Sequence, residues 1–200
     1  LDKDHPTLLI ELLQNVKGTK DERIQYSPER MEETIKLAMK KSNWANTTEG
    51  TYQGFSAYYS HNTHVAEVAD IVMKNGMPLV KKVTVAVDCG IVVNPLGAKN
   101  QVEGGVIDGI GHAMYGDFSF KEGTPQAVNF DNYRLIRMQE TPEVSTHFVE
   151  SGLSPTGLGE PGLPPAGGAV ANAIHTATGE RLLKQPFINE LEMSKSKILG

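Results

Sequence analysis

Apolar residues in the first fifty positions repeat at helical spacing. Leu8, Leu9, Leu12 and Leu13 fall on one side of a short helix predicted over residues 6–15. The polar stretch VKGTKDERIQ then reads as a connection. Ser27-Pro28 opens a second helix: a serine hydroxyl can accept from a first-turn amide, and the fixed φ of proline suits the first position. Met31, Ile35, Ala38 and Met39 carry its apolar side as far as about Asn43. From residue 51 the pattern changes. TYQGFSAYYSH is rich in aromatics, and THVAEVADIVMKNG follows with Val65, Val68 and Ile71 among small residues. NGMP reads as a turn and LVKKVTVAVDCG alternates as a strand. Three strands, paired antiparallel through short turns, are predicted here.

Asn94-Pro95 repeats the cap-then-proline start. The helix it opens is predicted to run to about Gly116, with Val102, Val106, Ile110 and Ala113 on one face. Gly104, Gly105, Gly109 and Gly111 lie inside it. A glycine in a helix interior costs about 1 kcal/mol relative to alanine, so four of them need a reason. Close packing against a neighbour is one; approach of a bulky ligand is the other. Gln101, Gly105, Asp108 and His112 share a face at helical spacing, and the pattern leaves both reasons open. A turn, an irregular polar stretch and a strand near residues 143–150 follow. Pro165 starts the last helix, on which Val170, Ala173, Ile174 and Ala177 form one face and which Gly179 ends. Gly167-Gly168 is expected to loosen its start. The fold class is α+β: a mixed sheet with helices packed on it.

With 39% hydrophobic residues, the 200-residue chain can bury a real core. A net charge of -5 and the lack of a basic stretch argue against nucleic acid or an anionic membrane as partner. No apolar run approaches the roughly 18 residues that span a bilayer. The one cysteine, Cys89, excludes an internal disulfide and a cluster held by four cysteines of this chain. The chain does not start with Met, and LDKDHPTLLIELL has no signal-like features, so it reads as part of a longer protein. The compartment stays open between cytoplasm and periplasm.

One acid stands out. Glu160 sits in SPTGLGEPGLPPAGG, between glycines that permit close approach and prolines that restrict the backbone, just before the last helix. The amide groups at that helix start add a positive dipole end. This arrangement can fix one carboxylate at the mouth of a site, although spacing alone favours a solvent-exposed loop acid. His61 and His64 in HNTH read as surface turn residues with no acid or cysteine cluster beside them. His112, His147 and His175 are scattered and read as structural. Cys89 reads as a small buried thiol. No phosphate-binding loop, dinucleotide fingerprint or serine-nucleophile motif is present.

Three motifs in order do resemble a known family. VAVDCGIVVNPLGAKNQVEGGVIDGIGHAMYGD, VNFDNYRLIRMQETPEV and GLGEPGLPPAGGAVANAIHTATGERL resemble the C-terminal part of the molybdopterin-binding subunit of the xanthine oxidase and aldehyde oxidoreductase family. Within it, the pattern is most similar to the isoquinoline 1-oxidoreductase beta-subunit branch. The resemblance covers about residues 30–187. It implies that Gly157-Leu158-Gly159-Glu160 is the family's GxGE loop, with Glu160 the catalytic base for a molybdenum-bound hydroxyl. It implies that Gln101-Val102-Glu103-Gly104 is the helix start that meets the pterin. Cofactor-binding residues are then Gln101, Gly104, Gly105 and Gly159, and no metal ligand is assigned in this segment. The implied reaction inserts an oxygen derived from water into a C–H bond of an aldehyde or N-heterocycle. The implied cofactor is molybdopterin with Mo, with a cytosine dinucleotide form left open. Iron–sulfur clusters would sit on a partner subunit, and the upstream part of the same chain would complete the site. Residues 1–50 would be a helical segment continuing from an upstream domain, 51–190 the C-terminal molybdopterin-binding domain, and 191–200 a loosely ordered tail. The rival reading is a non-catalytic domain serving subunit assembly.

Overall fold

A computed structural model describes residues 3–18 and 26–191 of the chain. Helix α1 spans His5–Val16, capped by the Asp4 carboxylate accepting from Thr7 N. Helix α2 spans Pro28–Ser42; Ser27 caps its start, and Asn43 ends it in the left-handed region. Strands β1 (Thr51–Ser60), β2 (Thr63–Lys74) and β3 (Met77–Asp88) follow through two-residue turns. Helix α3 spans Pro95–Tyr115, a minor pair β4 (Phe120–Lys121) and β5 (Thr124–Pro125) follows, then strand β6 (Glu143–Phe148) and helix α4 (Pro164–Thr178).

The main sheet has the order β1-β2-β3-β6. The first three strands pair antiparallel and β6 joins β3 in parallel, Lys82 beside Glu143 through Val87 beside Phe148. It is therefore a mixed sheet with helices on both faces, the α+β class expected. Alternation along β2 sorts the side chains. Val65, Ala69 and Ile71 join Val83, Val85 and Val87 of β3 in a core covered by Val102, Val106 and Ile110 of α3 and by Ala169, Val170, Ala173 and Ile174 of α4. Ala66 and Val68 point the other way, to Phe55, Met31, Ile35, Ala38 and Leu13 under α2 and α1. The α4 layer lies very close to the sheet. A Cβ on Gly54 of β1 would stand 2.0 Å from Ala173 N.

Three expectations change. Leu12 is 53% exposed, because Leu13 with Leu9 and Ile10 supplies the packed side of α1. The last helix begins at Pro164, one residue early, and its Gly167-Gly168 pair sits in regular helix. Those glycines serve close packing: added Cβ atoms would lie 3.2 Å from Ala113 Cβ and 2.8 Å from Ser56 Oγ. Of the predicted tail only Leu191 is described, and it is buried in the α3–α4 core; the rest lies outside the described residues.

Candidate active site around Glu160

The segment after β6 is fastened to the strand ends residue by residue. Val149 N donates to Val87 O (2.8 Å), Ile91 N to Leu153 O (2.9 Å) and Thr156 N to Cys89 O (2.9 Å). Gly157 N donates to His61 O (3.1 Å) on the β1–β2 turn. From β2, Thr63 Oγ1 donates to Gly157 O (2.7 Å) and lies 2.6 Å from Thr156 Oγ1. A side chain at Gly157 is not accommodated, since its Cβ would meet His61 Cβ at 2.6 Å.

Below this run lies a buried charge pair. Arg30 Nε donates to Asp88 Oδ2 (2.7 Å) and Nη2 to Oδ1 (2.9 Å), a bidentate fork. Ser151 Oγ (2.9 Å) and Gly90 N (3.2 Å) also donate to Asp88 Oδ1. Burial alone would raise the Asp88 carboxyl; Arg30, Ser151 and Gly90 hold it below its ordinary value. The ionised Asp88 thus ties α2, the end of β3 and the loop leading to Glu160.

Glu160 stands at the far end of that loop with its side chain 43% exposed. Ser60 Oγ donates to its Oε2 (3.0 Å), and His61 Nε2 lies 2.9 Å from the same oxygen. Its backbone carbonyl accepts from Leu163 N (2.8 Å), which turns the chain into α4. Pro164 and Pro165 carry no N–H, so this helix start offers fewer free amides than its position suggests. Gln101, exposed on α3, donates its Nε2 to Gly159 O (2.7 Å) and so joins α3 to the residue before Glu160.

The predicted site residues separate into two kinds. Gln101 meets Gly159, the residue before Glu160, directly. Gly105 borders the same loop, its would-be Cβ 3.5 Å from Leu163 N. Gly104 lies on the exposed side of α3, and both it and Gly159 have nothing within 4 Å of a would-be Cβ among the described residues. Gly109 is different: a Cβ there would reach Leu163 O at 2.3 Å, so this glycine serves packing. Asp108 and His112, on the face predicted with Gln101, form an exposed pair at 3.6 Å.

The histidine reading changes at two positions. His61 is exposed, as expected of a turn residue, but an acid does stand beside it. His64 is fully buried, the second residue of β2, and its Nε2 accepts from Ser27 N (3.1 Å). Burial, then the positive Arg30, push its pKa down to about 4. It is a neutral core residue packed on Tyr59 and Tyr26. Cys89 is a buried thiol, as predicted, raised by burial and by Asp88. Glu67, not singled out by the sequence, is fully buried on the α4 side of β2, with both carboxylate oxygens lacking a hydrogen bond among the described residues. Burial raises it well above the usual carboxylate range, so it is held neutral.

A family model described as a molybdopterin cofactor-binding domain matches residues 12–142, which includes Gln101, Gly104 and Gly105 and ends before the Glu160 loop. The chain is 32% identical over 169 residues to a membrane-bound aldehyde dehydrogenase [pyrroloquinoline-quinone] of Gluconacetobacter polyoxogenes, covering 78% of this chain and 21% of that protein. It is 30% identical over 167 residues to the isoquinoline 1-oxidoreductase subunit beta of Brevundimonas diminuta, covering 80% and 21%. It therefore spans about a fifth of the length of these curated relatives. Among solved structures, quinoline 2-oxidoreductase from Pseudomonas putida 86 superposes with a TM-score of 0.60 at 19% identity, over 66% of this chain and 18% of that one. The aldehyde oxidoreductase of Desulfovibrio gigas superposes at 0.54 with 24% identity, over 65% and 15%. These likenesses establish the fold.

Proposed function

The chain belongs to the molybdopterin cofactor-binding domain family, and on that premise we propose that it forms part of a molybdenum hydroxylase that oxidises an aldehyde or hydroxylates an N-heterocycle, with Glu160 as general base. The carrying observation is the placement of Glu160. One carboxylate, with Oε2 held by two side chains, stands next to a bare Gly159 that Gln101 ties to α3. The names of the relatives, an aldehyde dehydrogenase and an isoquinoline oxidoreductase, support the substrate classes. One relative's name carries pyrroloquinoline-quinone, but the matching family is a molybdopterin cofactor-binding domain, which supports the molybdenum cofactor.

The residues fit a pterin-borne metal. Gly104 and Gly159 leave open the space that a Cβ would fill, which admits a bulky group against the backbone. Gln101 uses its amide N–H on Gly159, and its side-chain carbonyl takes no part in that bond, so this is the atom offered to a pterin donor. Gly105 keeps α3 slim beside the loop. When bound, the molybdenum cofactor supplies the two-electron oxidation. Overall, a substrate C–H and water become C–OH, two protons and two electrons. Glu160 Oε1, which neither Ser60 nor His61 engages, takes one of those protons. The electrons pass to an iron–sulfur partner subunit, and the remainder of the subunit closes the substrate pocket.

The test is elemental mass spectrometry on the full-length protein purified with its partners from a host that makes the cofactor. About one molybdenum per chain is expected, together with product oxygen drawn from isotopically labelled water. Nucleotide analysis of the released pterin distinguishes plain molybdopterin from its cytosine dinucleotide. A metal-free protein from such a host would overturn the reading and favour an assembly role.

A further inference from the structure

Among the described residues, the hydrogen bonds to the Glu160 carboxylate both come from the β1–β2 turn, 100 and 99 positions earlier in the chain. Both reach the same oxygen. Ser60 Oγ donates there, the Nε2–H tautomer of His61 makes the second donor, and Oε1 is used by neither.

The turn sets that histidine in the left-handed region. Ser60 pairs with Thr63 across it, and both central residues have positive φ, 52° at His61 and 62° at Asn62. Glycine, asparagine and aspartate are the favoured residues in such a turn. Histidine, like asparagine and aspartate, enters this region more readily than most residues, but at a cost that glycine does not carry. What the position gains is an imidazole aimed at Glu160.

Nor is the contact left to two side chains meeting by chance. Turn and loop are fastened beforehand by Gly157 N on His61 O, by Thr63 Oγ1 on Gly157 O, and by His61 Cβ filling the space over Gly157. These three contacts hold the turn against the loop at Gly157, three residues before Glu160, independently of the imidazole–carboxylate contact.

We propose that Ser60 and His61 are positioning residues, which hold Glu160 by Oε2 so that Oε1 is presented for proton transfer. The catalytic half of this rests on Glu160 being the base; the positioning half can be read without the cofactor. His61→Ala, the Ser60→Ala/His61→Ala pair and His61→Gln, which keeps an amide N–H donor, are made in the full-length protein with its partners. The Glu160 carboxyl is labelled with a carbodiimide and an amine, and modification is read by peptide mass spectrometry in protein from a strain that lacks the cofactor. In parallel, kcat and KM are measured on loaded protein at equal molybdenum content. Labelling is expected to rise several-fold in the double variant. The kcat should fall by up to about 100-fold, as for a displaced catalytic group, with KM and melting temperature unchanged. His61→Gln should recover most of both. Unchanged labelling in the double variant overturns the proposal, whatever happens to kcat. So does raised labelling with kcat intact, provided Glu160→Gln abolishes turnover. If Glu160→Gln itself retains turnover, the base reading falls, and the labelling result alone decides whether the turn positions the side chain.

Discussion

Two turns of one kind close the three antiparallel strands, and they are built from different residues. The β2–β3 turn uses Asn75-Gly76, at φ 53° and 71°, between Lys74 and Met77. This is the pairing that such turns favour, and the turn is exposed. The β1–β2 turn uses His61-Asn62 at nearly the same φ values. Its root is polar and buried: His64 lies across from Tyr59 and beside Asp88, and Arg30 reaches both Asp88 and the Asn62 carbonyl (3.5 Å). The second turn reverses the chain at an exposed edge. The first also carries a side chain to Glu160 and is fastened to the loop below it. The two turns differ in what their side chains and roots touch, not in how they reverse the chain.

The comparison can be broken most strongly at the root of the first turn. Asp88→Ala strands Arg30, whose side chain is 17% exposed, and removes the acceptor of Ser151 and Gly90. Breaking a buried pair in this way is expected to cost about 3–5 kcal/mol. Hydrogen exchange should speed up at Ser60–Thr63 and much less at Asn75–Gly76, and equal acceleration at both turns would refute the claim that Asp88 anchors the first one.

Acid should separate the turns next. His64 has a folded pKa of about 4 against an ordinary 6.5. As pH falls, the unfolded chain takes up the proton first, so stability is whole above the ordinary value and is lost down to the folded one. The span is on the order of 3 kcal/mol. His64→Gln should flatten this acid limb in unfolding measured against pH. Glu67 acts with the opposite sign. Its folded pKa is raised above an ordinary 4.5, so its contribution is whole below that value and is lost as pH rises through the folded one. Glu67→Gln should remove the alkaline loss and leave the acid limb in place.

The smallest effects come from exchanging the turns. His61-Asn62 replaced by Asn-Gly should gain about 1 kcal/mol in stability while lowering turnover. Asn75-Gly76 replaced by His-Asn should lose about the same and leave turnover as it was. If the first exchange leaves turnover intact, His61 is not needed to position Glu160 for turnover.

Local order was legible wherever it was set by neighbours in sequence. The cap-then-proline pairs at Ser27-Pro28 and Asn94-Pro95 start α2 and α3 as expected, and the apolar face of α3 from Val102 to Ala113 is the buried one. The fold class and family were legible from motif order. What escaped depends on register or on distant contact. His64 reads as a turn residue until the turn is fixed at His61-Asn62; alternation then sends it into the core. Glu67 looked like one polar position in a strand of small residues, because nothing local reveals that α4 covers it. The meeting of His61 with Glu160 joins positions 99 residues apart, and no periodicity encodes it. A histidine in a two-residue turn was the one available signal. Among the helix glycines, the sequence could not separate Gly109, which meets the Leu163 carbonyl, from Gly104, which meets open space.

The most direct measurement is turnover of Glu160→Gln in the full-length protein, compared with wild type at equal molybdenum content. The amide keeps the size of the side chain and can still accept from Ser60 and His61, but it cannot take up a proton at neutral pH. With Glu160 as the base, kcat falls by about 100-fold or more with the metal retained. Turnover within a few-fold of wild type would contradict it and return Glu160 to the role of an ordinary loop acid.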